Sequence, residues 1–303
     1  MNIIFGPIHS RRFGKSLGVD LSPSKKQCNF DCLYCELDPA KTIRAYDEVV
    51  SVEEIGSALK EALGKYSDID FITITANGEP TLYPYLAELM EAINLFKGDT
   101  KTLILSNAGK IDDALVQEAL MGFDEVKLSL DCASAKCLRR LDRAYGDIDI
   151  EHIKSGMLAF KKRYKKPLII EILIVKSLND TVEEIERLNE FLLELKPTRI
   201  DMGTIDRPPA YAVEGVSYER LLEISRFFDS SLPIYIASRK RGDVSSSSYT
   251  FDEIIETLSK RPLTLDDIAV LFDSDSRARF DELLKSGKVV EVQTNGVVFF
   301  KVI

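Results

Sequence analysis

Through roughly its first 235 residues the chain alternates short apolar runs with longer amphipathic ones, and that alternation decides what it can fold into. Strands are predicted at 16–21, 71–75, 102–105, 125–130, 168–175 and 199–203, with a last short one at 233–236. Helices are predicted between them at 52–63, 85–96, 112–119, 133–141, 150–164, 182–195 and 218–228. Ser51 stands as a cap before the first helix, with Glu54 three residues on. Pro167 stops one helix and starts the apolar strand after it. Strands that alternate with helices make a parallel sheet covered by helices. About six such units make an α/β fold, an open and partial (β/α)6 relative of the TIM barrel, whose chemistry gathers in the loops at the C-terminal strand ends.

The loop after the first strand carries Cys28-Asn-Phe-Asp-Cys32-Leu-Tyr-Cys35, three of the chain's five cysteines. Three closely spaced thiolates can hold three corners of a cubane iron–sulfur cluster, which normally takes four. The missing ligand leaves one iron open, as a catalytic metal site keeps a position for substrate. A structural zinc site wants four ligands in paired spacing. Only Cys32 and Cys35 make such a pair, the histidines are His9 and His152 alone, and Cys132 and Cys137 would have to complete the set. A redox dithiol at Cys32 and Cys35 would open a helix and have no use for a third cysteine.

This run resembles the signature of the radical S-adenosylmethionine (SAM) enzymes, whose open iron chelates the amino and carboxylate groups of SAM. Other strand ends carry the same resemblance. Asn77-Gly78-Glu79-Pro80 is similar to the family's Gly-Gly-Glu-Pro motif, with Asn77 in place of the first glycine. The resemblance makes Gly78 and Glu79 binders of the SAM amino group; a plain turn with a capping acid is the alternative. Ser106-Asn107-Ala108-Gly109 stands where family members carry Thr-Asn-Gly, which gives Asn107 a ribose hydroxyl or carboxylate to bind. Asn and Gly also turn a chain for backbone reasons alone. Ser129-Leu130-Asp131 resembles the family's Ser-Leu-Asp segment. It makes Ser129 a SAM contact and Asp131 a partner of ribose or substrate, or else a helix cap. Tyr34, just before the third cysteine, falls where the family places a residue beside adenine. Ile174 is either barrel core or part of the backbone that packs on adenine. The resemblance implies that Cys28, Cys32 and Cys35 are the metal ligands and catalytic residues. The implied cofactors are a [4Fe–4S] cluster and SAM, with a one-electron reductant of flavodoxin or ferredoxin type. SAM would be cleaved reductively to methionine and a 5′-deoxyadenosyl radical that abstracts hydrogen from a substrate.

Three further stretches are similar to the radical-SAM group placed with wyosine-type tRNA synthetases. They are Gly6-Pro-x-x-Ser10-Arg11-Arg12, Val175-Lys-Ser-Leu-Asn-Asp180 and Asp206-Arg207-Pro208-Pro209. Those enzymes hold a second cluster on three further N-terminal cysteines, and no cysteine precedes Cys28 here. The implied substrate is a tRNA base; the alternative is a protein or small metabolite, with the C-terminal region docking a partner. Arg11, Arg12 and Arg207 can fork a carboxylate or phosphate, or serve as salt bridges in solvated loops. His9 reads as a hydrogen-bonded loop residue. Cys132 and Cys137 read as partly buried structural thiols, or as a hydrogen-atom donor or auxiliary ligand. The basic run Lys161-Lys162-Arg163-Tyr164-Lys165-Lys166 ends a predicted helix, where cations meet the negative dipole end; an RNA contact is the alternative.

The rest of the composition bounds the setting. The chain has 303 residues, 45% hydrophobic and 29% charged, enough for one large domain and a small one. A net charge of −9 argues against a broad nucleic-acid surface. No apolar run reaches membrane length and the N-terminus is no signal peptide, so a cytoplasmic protein is expected. Clustered cysteines fit a reducing compartment rather than a disulfide framework. The expected domains are a radical-SAM core at 1–238, a linker at 239–250 and a winged-helix-like unit at 251–303. In that unit helices at 251–259, 265–272 and 276–285 precede a hairpin turned at Asn295-Gly296. Its third helix carries Arg277, Arg279 and Lys285, where relatives read DNA. Ten acids against seven bases from 249 to 303 favour a protein contact or a lid instead.

Overall fold

The structure, a computed structural model, describes residues 3–10, 13–236, 248–260, 262–294 and 297–303. In chain order the first body holds β1 (Ile4–Ser10), β2 (Gly14–Asp20), α1 (Val52–Lys65), β3 (Phe71–Thr75), α2 (Leu86–Asn94), β4 (Lys101–Ser106) and α3 (Ala114–Met121). It continues with β5 (Glu125–Ser129), α4 (Ala135–Cys137), α5 (Ile150–Arg163), β6 (Leu168–Ile174), α6 (Val182–Leu195), β7 (Arg199–Thr204), α7 (Tyr218–Ser225) and β8 (Ile234–Ile236). All eight strands form one sheet in sequential order. Each neighbour from β2 to β8 is parallel, while β1 runs antiparallel to β2 at the edge. The two end strands do not meet, so the sheet is an open α/β barrel. It is the expected architecture with one strand more at its start.

Local chemistry fixes the elements. Ser51, Asp113, Asp149, Thr181 and Ser217 each accept a backbone N–H from the first turn of α1, α3, α5, α6 and α7. Strand side chains such as Leu17, Val19, Ile72, Ile74, Ile104, Val126, Leu128, Ile170 and Ile172 are fully buried in one continuous core. Toward the N-terminal strand ends the sheet carries a polar patch. There Lys127 pairs with Glu171 at 2.5 Å and Asp201 at 3.2 Å, and Lys127 and Arg199 both lie over the Phe13 ring.

Two expectations change. The stretch at 6–14, read as a loop that either meets an anionic substrate or carries structural salt bridges, is strand at 6–10 and again at 14. β1 pairs with β2 from Ile4↔Val19 to Ser10↔Gly14, with an irregularity between Phe5 and Ile8 that hid the alternation. Arg11 and Arg12 lie outside the described residues, and so does the side chain of His9. The helix expected at 133–141 is the single turn α4 running into a π-helical turn, Leu138–Asp142.

A second body follows: α8 (Phe251–Lys260), β9 (Leu263–Thr264), α9 (Leu265–Leu271), α10 (Ser274–Lys285), β10 (Val289–Thr294) and β11 (Val297–Val302). β11 lies between β10 and β9 in a separate antiparallel sheet. Three helices with a small sheet give the winged-helix-like arrangement, around Ile254, Leu258, Phe272, Phe280 and Phe300. Most of the expected linker, 239–247, and the Asn295-Gly296 turn lie outside the described residues. Arg277 and Arg279 donate to the carbonyls of Phe272, Ala269 and Tyr249, so their guanidinium groups serve the unit's own backbone. Among the described residues, no helix is long and apolar enough to cross a membrane.

Candidate active site

The loop after β2 leaves the strand and is closed at its neck by Gln27. This buried amide donates to Ser22 Oγ and the Glu48 carbonyl, and accepts from the N–H groups of Asp47 and Glu48. Gly78, at φ +139°, passes directly beneath it, and a Cβ there would fall 1.9 Å from the Gln27 carbonyl oxygen. Farther out, the loop pairs with the segment after the π turn. Asp31 N–H donates to the Asp142 carbonyl, Leu33 N–H to Leu141, and Tyr145 N–H to Asn29. The Asp206-Arg207-Pro208-Pro209 loop straps the far side. Arg207 Nη1 donates to both Glu36 oxygens at 2.6 and 2.7 Å, Ala210 N–H to the Cys35 carbonyl, and Tyr211 Oη to Asp31. Arg207 is thus a salt-bridge clamp.

Cys28, Cys32 and Cys35 are free, half-buried thiols within this frame. Burial pushes Cys28 up to about 12 and raises Cys32 and Cys35 as well. A coordinating metal reverses that balance and takes the thiolate outright. Phe30 N–H and Asn107 Nδ2 approach the Cys28 sulfur at 3.4 and 3.6 Å.

Glu79 is buried between the loops after β3 and β4. Its Oε1 accepts from Thr81 N–H, Thr81 Oγ1 and Ser106 Oγ, and its Oε2 from Asn107 N–H at 2.7 Å. Burial raises its pKa, and these donors oppose the rise. The carboxylate is a strut that fixes Asn107, with acceptor capacity remaining on Oε2. Asn107 Nδ2 also donates to Asn29 Oδ1 at 2.7 Å, and its own Oδ1 accepts from Gly109 N–H.

Tyr34, Asn107, Ser129 and Asp131 line one cavity, with Phe30, Cys132 and Asp142. Asp131 Oδ1 accepts from Leu173 N–H at 2.6 Å, while Tyr34 Oη donates to Oδ2 in a short bond. Burial lifts Asp131 to about 7, and drives Asp142 upward with Asp131 adding to the effect. Ile174 is not among the cavity residues: its side chain is wholly buried in the core, and Thr204 Oγ1 donates to its carbonyl. Sequence reasoning missed Asn29, Asp142 and Asn179 as site residues. Asn179 is fully buried, donates to the carbonyls of Asp131 and Leu173, and accepts from Val175 N–H, tying the ends of β5 and β6 together. The signal lay in the Val175–Asp180 motif, which carried the family resemblance and no assigned task.

Cys132 and Cys137 differ from the expected thiols: their sulfurs are bonded to each other, with Cα atoms 5.4 Å apart. Among the described residues, these two and Glu184 are the only three His, Cys, Asp or Glu donors within 4.8 Å of one another. Cys28, Cys32 and Cys35 are therefore spread more widely than a single ion requires, which suits a cluster with an iron at each corner. Polar atoms a cofactor can satisfy flank them: among the described residues, Asn29 Nδ2 and Asp142 Oδ1 are buried without a hydrogen-bond partner. The donor set fits an iron–sulfur cluster with a small polar ligand beside it.

Fold and site together define an open β/α barrel that carries a three-thiolate loop at its C-terminal strand ends. A family model for the radical SAM superfamily matches residues 23–192, more than half of the chain, and the protein belongs to that superfamily. It is an enzyme of that class, and its cofactors are a [4Fe–4S] cluster and SAM. The chain is 41% identical to a UPF0026 protein of Helicobacter pylori strain J99, over 98% of this chain and 97% of that one. It is 32% identical to a UPF0026 protein of Methanocaldococcus jannaschii, over 99% and 96%. A probable dual-specificity RNA methyltransferase of Thermotoga petrophila matches at 24% identity over 73% of this chain and 64% of that one. Among solved structures, a radical SAM methyltransferase from Sphaerobacter thermophilus shares the fold at TM-score 0.57 and 15% identity, covering 74% of this chain and 67% of that one.

Proposed function

We propose that Cys28, Cys32 and Cys35 hold the cluster, that SAM lies in the cavity of Tyr34, Asn107, Ser129 and Asp131, and that the substrate is an RNA base, of the tRNA-modifying kind. When bound, cluster and SAM supply the 5′-deoxyadenosyl radical that takes hydrogen from the substrate. The protein's part is to place and shield. Gln27 and Arg207 hold the thiol loop, the Glu79 strut fixes Asn107, and Asn179 holds the Asp131 carbonyl. The remaining acceptor capacity of Glu79 Oε2, beside Gly78, suits the SAM ammonium.

The observation that carries the RNA reading is a cationic rim on the outer side of the segment whose Cys132, Leu138 and Asp142 line this cavity. Lys136, Arg139 and Arg140 are exposed on the turns that follow Asp131, and none forms an ion pair among the described residues. On the same segment the Arg143 guanidinium, paired with Asp31 at 3.2 Å, lies 4.9 Å from the Tyr211 ring centre. Cations interleaved with aromatic faces suit phosphates and unstacked bases. The basic run at 161–166 sits at the opposite end, before β6. There Lys165 and Lys166 donate to carbonyls of Lys162 and Phe123, and Arg163 pairs with Glu118. The likeness to an RNA methyltransferase by name points the same way.

The test is binding of unfractionated tRNA to the reconstituted enzyme by fluorescence anisotropy at several salt concentrations. Affinity should fall steeply with salt, and K136E/R139E/R140E should weaken it at least tenfold and flatten the salt slope. K161E/K162E should leave it unchanged. Equal binding by the rim variant and wild type would overturn the RNA reading in favour of a protein or small-metabolite substrate.

A further inference from the structure

Cys132 directly follows Asp131 and is 1% exposed, yet it lines the same cavity as Tyr34, Asn107 and Ser129. Cys137, 5% exposed, stands on α4 with its sulfur bonded to that of Cys132. Their meeting is built in. Glu184, on α6, accepts from the N–H groups of Ala133 and Ser134 and from Ser134 Oγ, which pins the turn between the two cysteines. Ser134 Oγ in turn accepts from Cys137 N–H at 3.2 Å and sets the first turn of α4. One carboxylate oxygen of Glu184 lies within 4.8 Å of both sulfurs. As a staple the bridge would do little, because a sequence separation of 5 closes one of the shortest loops, where the gain in stability is least. Its place in the cavity wall is the more telling fact.

We infer that Cys132 and Cys137 are a redox couple of the active cavity, in which the reduced Cys132 thiol donates a hydrogen atom to a carbon radical and Cys137 closes the disulfide. The inference rests on the radical reading above. In the first step the S–H bond of Cys132 breaks, a C–H bond forms on the carbon radical, and a thiyl radical remains on Cys132. In the second, Cys137 bonds to that thiyl and gives up its proton to the neighbouring Glu184 carboxylate. The disulfide then carries one surplus electron. An oxidised acceptor of the iron–sulfur class takes that electron, leaving the neutral disulfide seen here. An external dithiol reductant returns the pair to two thiols by exchange.

The experiment uses the reconstituted, fully reduced enzyme in D2O, with SAM, one equivalent of dithionite per cluster and no added substrate. Acid quenching and alkylation are followed by mass measurement of the nucleoside and of the peptide that carries both cysteines. Wild type should give 5′-deoxyadenosine bearing one deuterium, and the peptide should pass from two alkylated thiols to a disulfide in step. Cys137→Ala should keep the deuterium and form no disulfide, whereas Cys132→Ala should lose the label severalfold with its iron content unchanged. On the cofactor-free chain, alkylation across a series of dithiothreitol redox buffers should report a single two-electron transition confined to these two residues. The couple is overturned if the two sulfurs alkylate independently in that series. The donor role is overturned if nucleoside accumulates while the peptide stays reduced, or if Cys132→Ala keeps the wild-type label. Absence of nucleoside from wild type would overturn the radical reading itself, and the donor role with it.

Discussion

Burial holds the Asp131 carboxyl at about 7, and hydrogen bonds from Tyr34 and Leu173 offset only part of that effect. In the unfolded chain the same group titrates near an ordinary value, about 3.9. The folded state therefore binds the proton more tightly, and stability falls as pH rises from about 4 towards about 7, after which the loss is complete. Asp131→Asn should remove much of this slope. Urea denaturation of the cofactor-free chain between about pH 5 and about pH 8 checks it: wild type should weaken with pH more than the variant. Parallel curves would mean that the group stays ionised. Asp131 was legible in the sequence because Ser-Leu-Asp ends a strand. Asn29, Asp142 and Asn179 were not. An asparagine or aspartate in a loop reads as a turn former, and its task depends on which distant loop lies across from it. Asn179 meets Asp131 across 48 positions, which no local pattern encodes.

At the level of elements, the thiol loop is held by chain that comes much later in the sequence. Arg207 meets Glu36 across 171 residues. The Arg207→Ala variant loses two charge-assisted hydrogen bonds in a partly buried setting, worth about 1–3 kcal/mol. More usefully, it should release iron severalfold faster from the reconstituted protein under chelator, with Glu36→Gln doing the same more weakly. Unchanged release would show that the neck at Gln27 suffices. The strands β3 to β7 and the helices between them, apart from the one expected at 133–141, could be read from hydrophobic period and caps, because each signal is local. The β1–β2 hairpin could not, since its Gly6-Pro7 step and bulge interrupt the alternation. The π turn escaped for a similar reason: residues 133–141 have a helical composition, but Arg143 takes a left-handed conformation and its N–H returns to the Leu138 carbonyl. The polar cluster of Lys127, Glu171 and Asp201 spans three strands, and ion pairing across them leaves no trace in any one of them.

On the scale of the whole molecule, the second body meets the first along β1 and the end of α1. Tyr249 Oη donates to the Pro7 carbonyl at 2.7 Å, and Glu253 pairs with Lys65 and Tyr66 at the end of α1 that leads into β3. The Glu253 contact is near the N-terminal end of β3 and the Tyr249 contact half-way along β1, while Asp267 of α9 acts electrostatically on Arg207 of the thiol-loop clamp. The hydrogen bonds from Lys65, Thr250 and Tyr66 outweigh burial and hold Glu253 at about 2. Its contribution is present above the ordinary carboxylate range and lost as pH falls towards about 2. Tyr249→Phe with Glu253→Gln should lower the thermal midpoint and blunt its acid sensitivity. Yield of 5′-deoxyadenosine should stay within about twofold of wild type. A large loss of that chemistry would instead couple the second body to the active cavity.

The clamped loop also bears on how the enzyme is made. A metal site whose ligands are scattered on free chain has to fold as it fills, and its assembly is slow to begin and easily undone. Here Gln27 closes the neck, Gly78 lets the loop lie flat against the barrel, and Arg207 and Ala210 tether the far side, all through bonds that involve no metal. The loop's path is thus set by protein groups, so the chain is expected to take up iron without first unfolding, which circular dichroism followed through reconstitution would check.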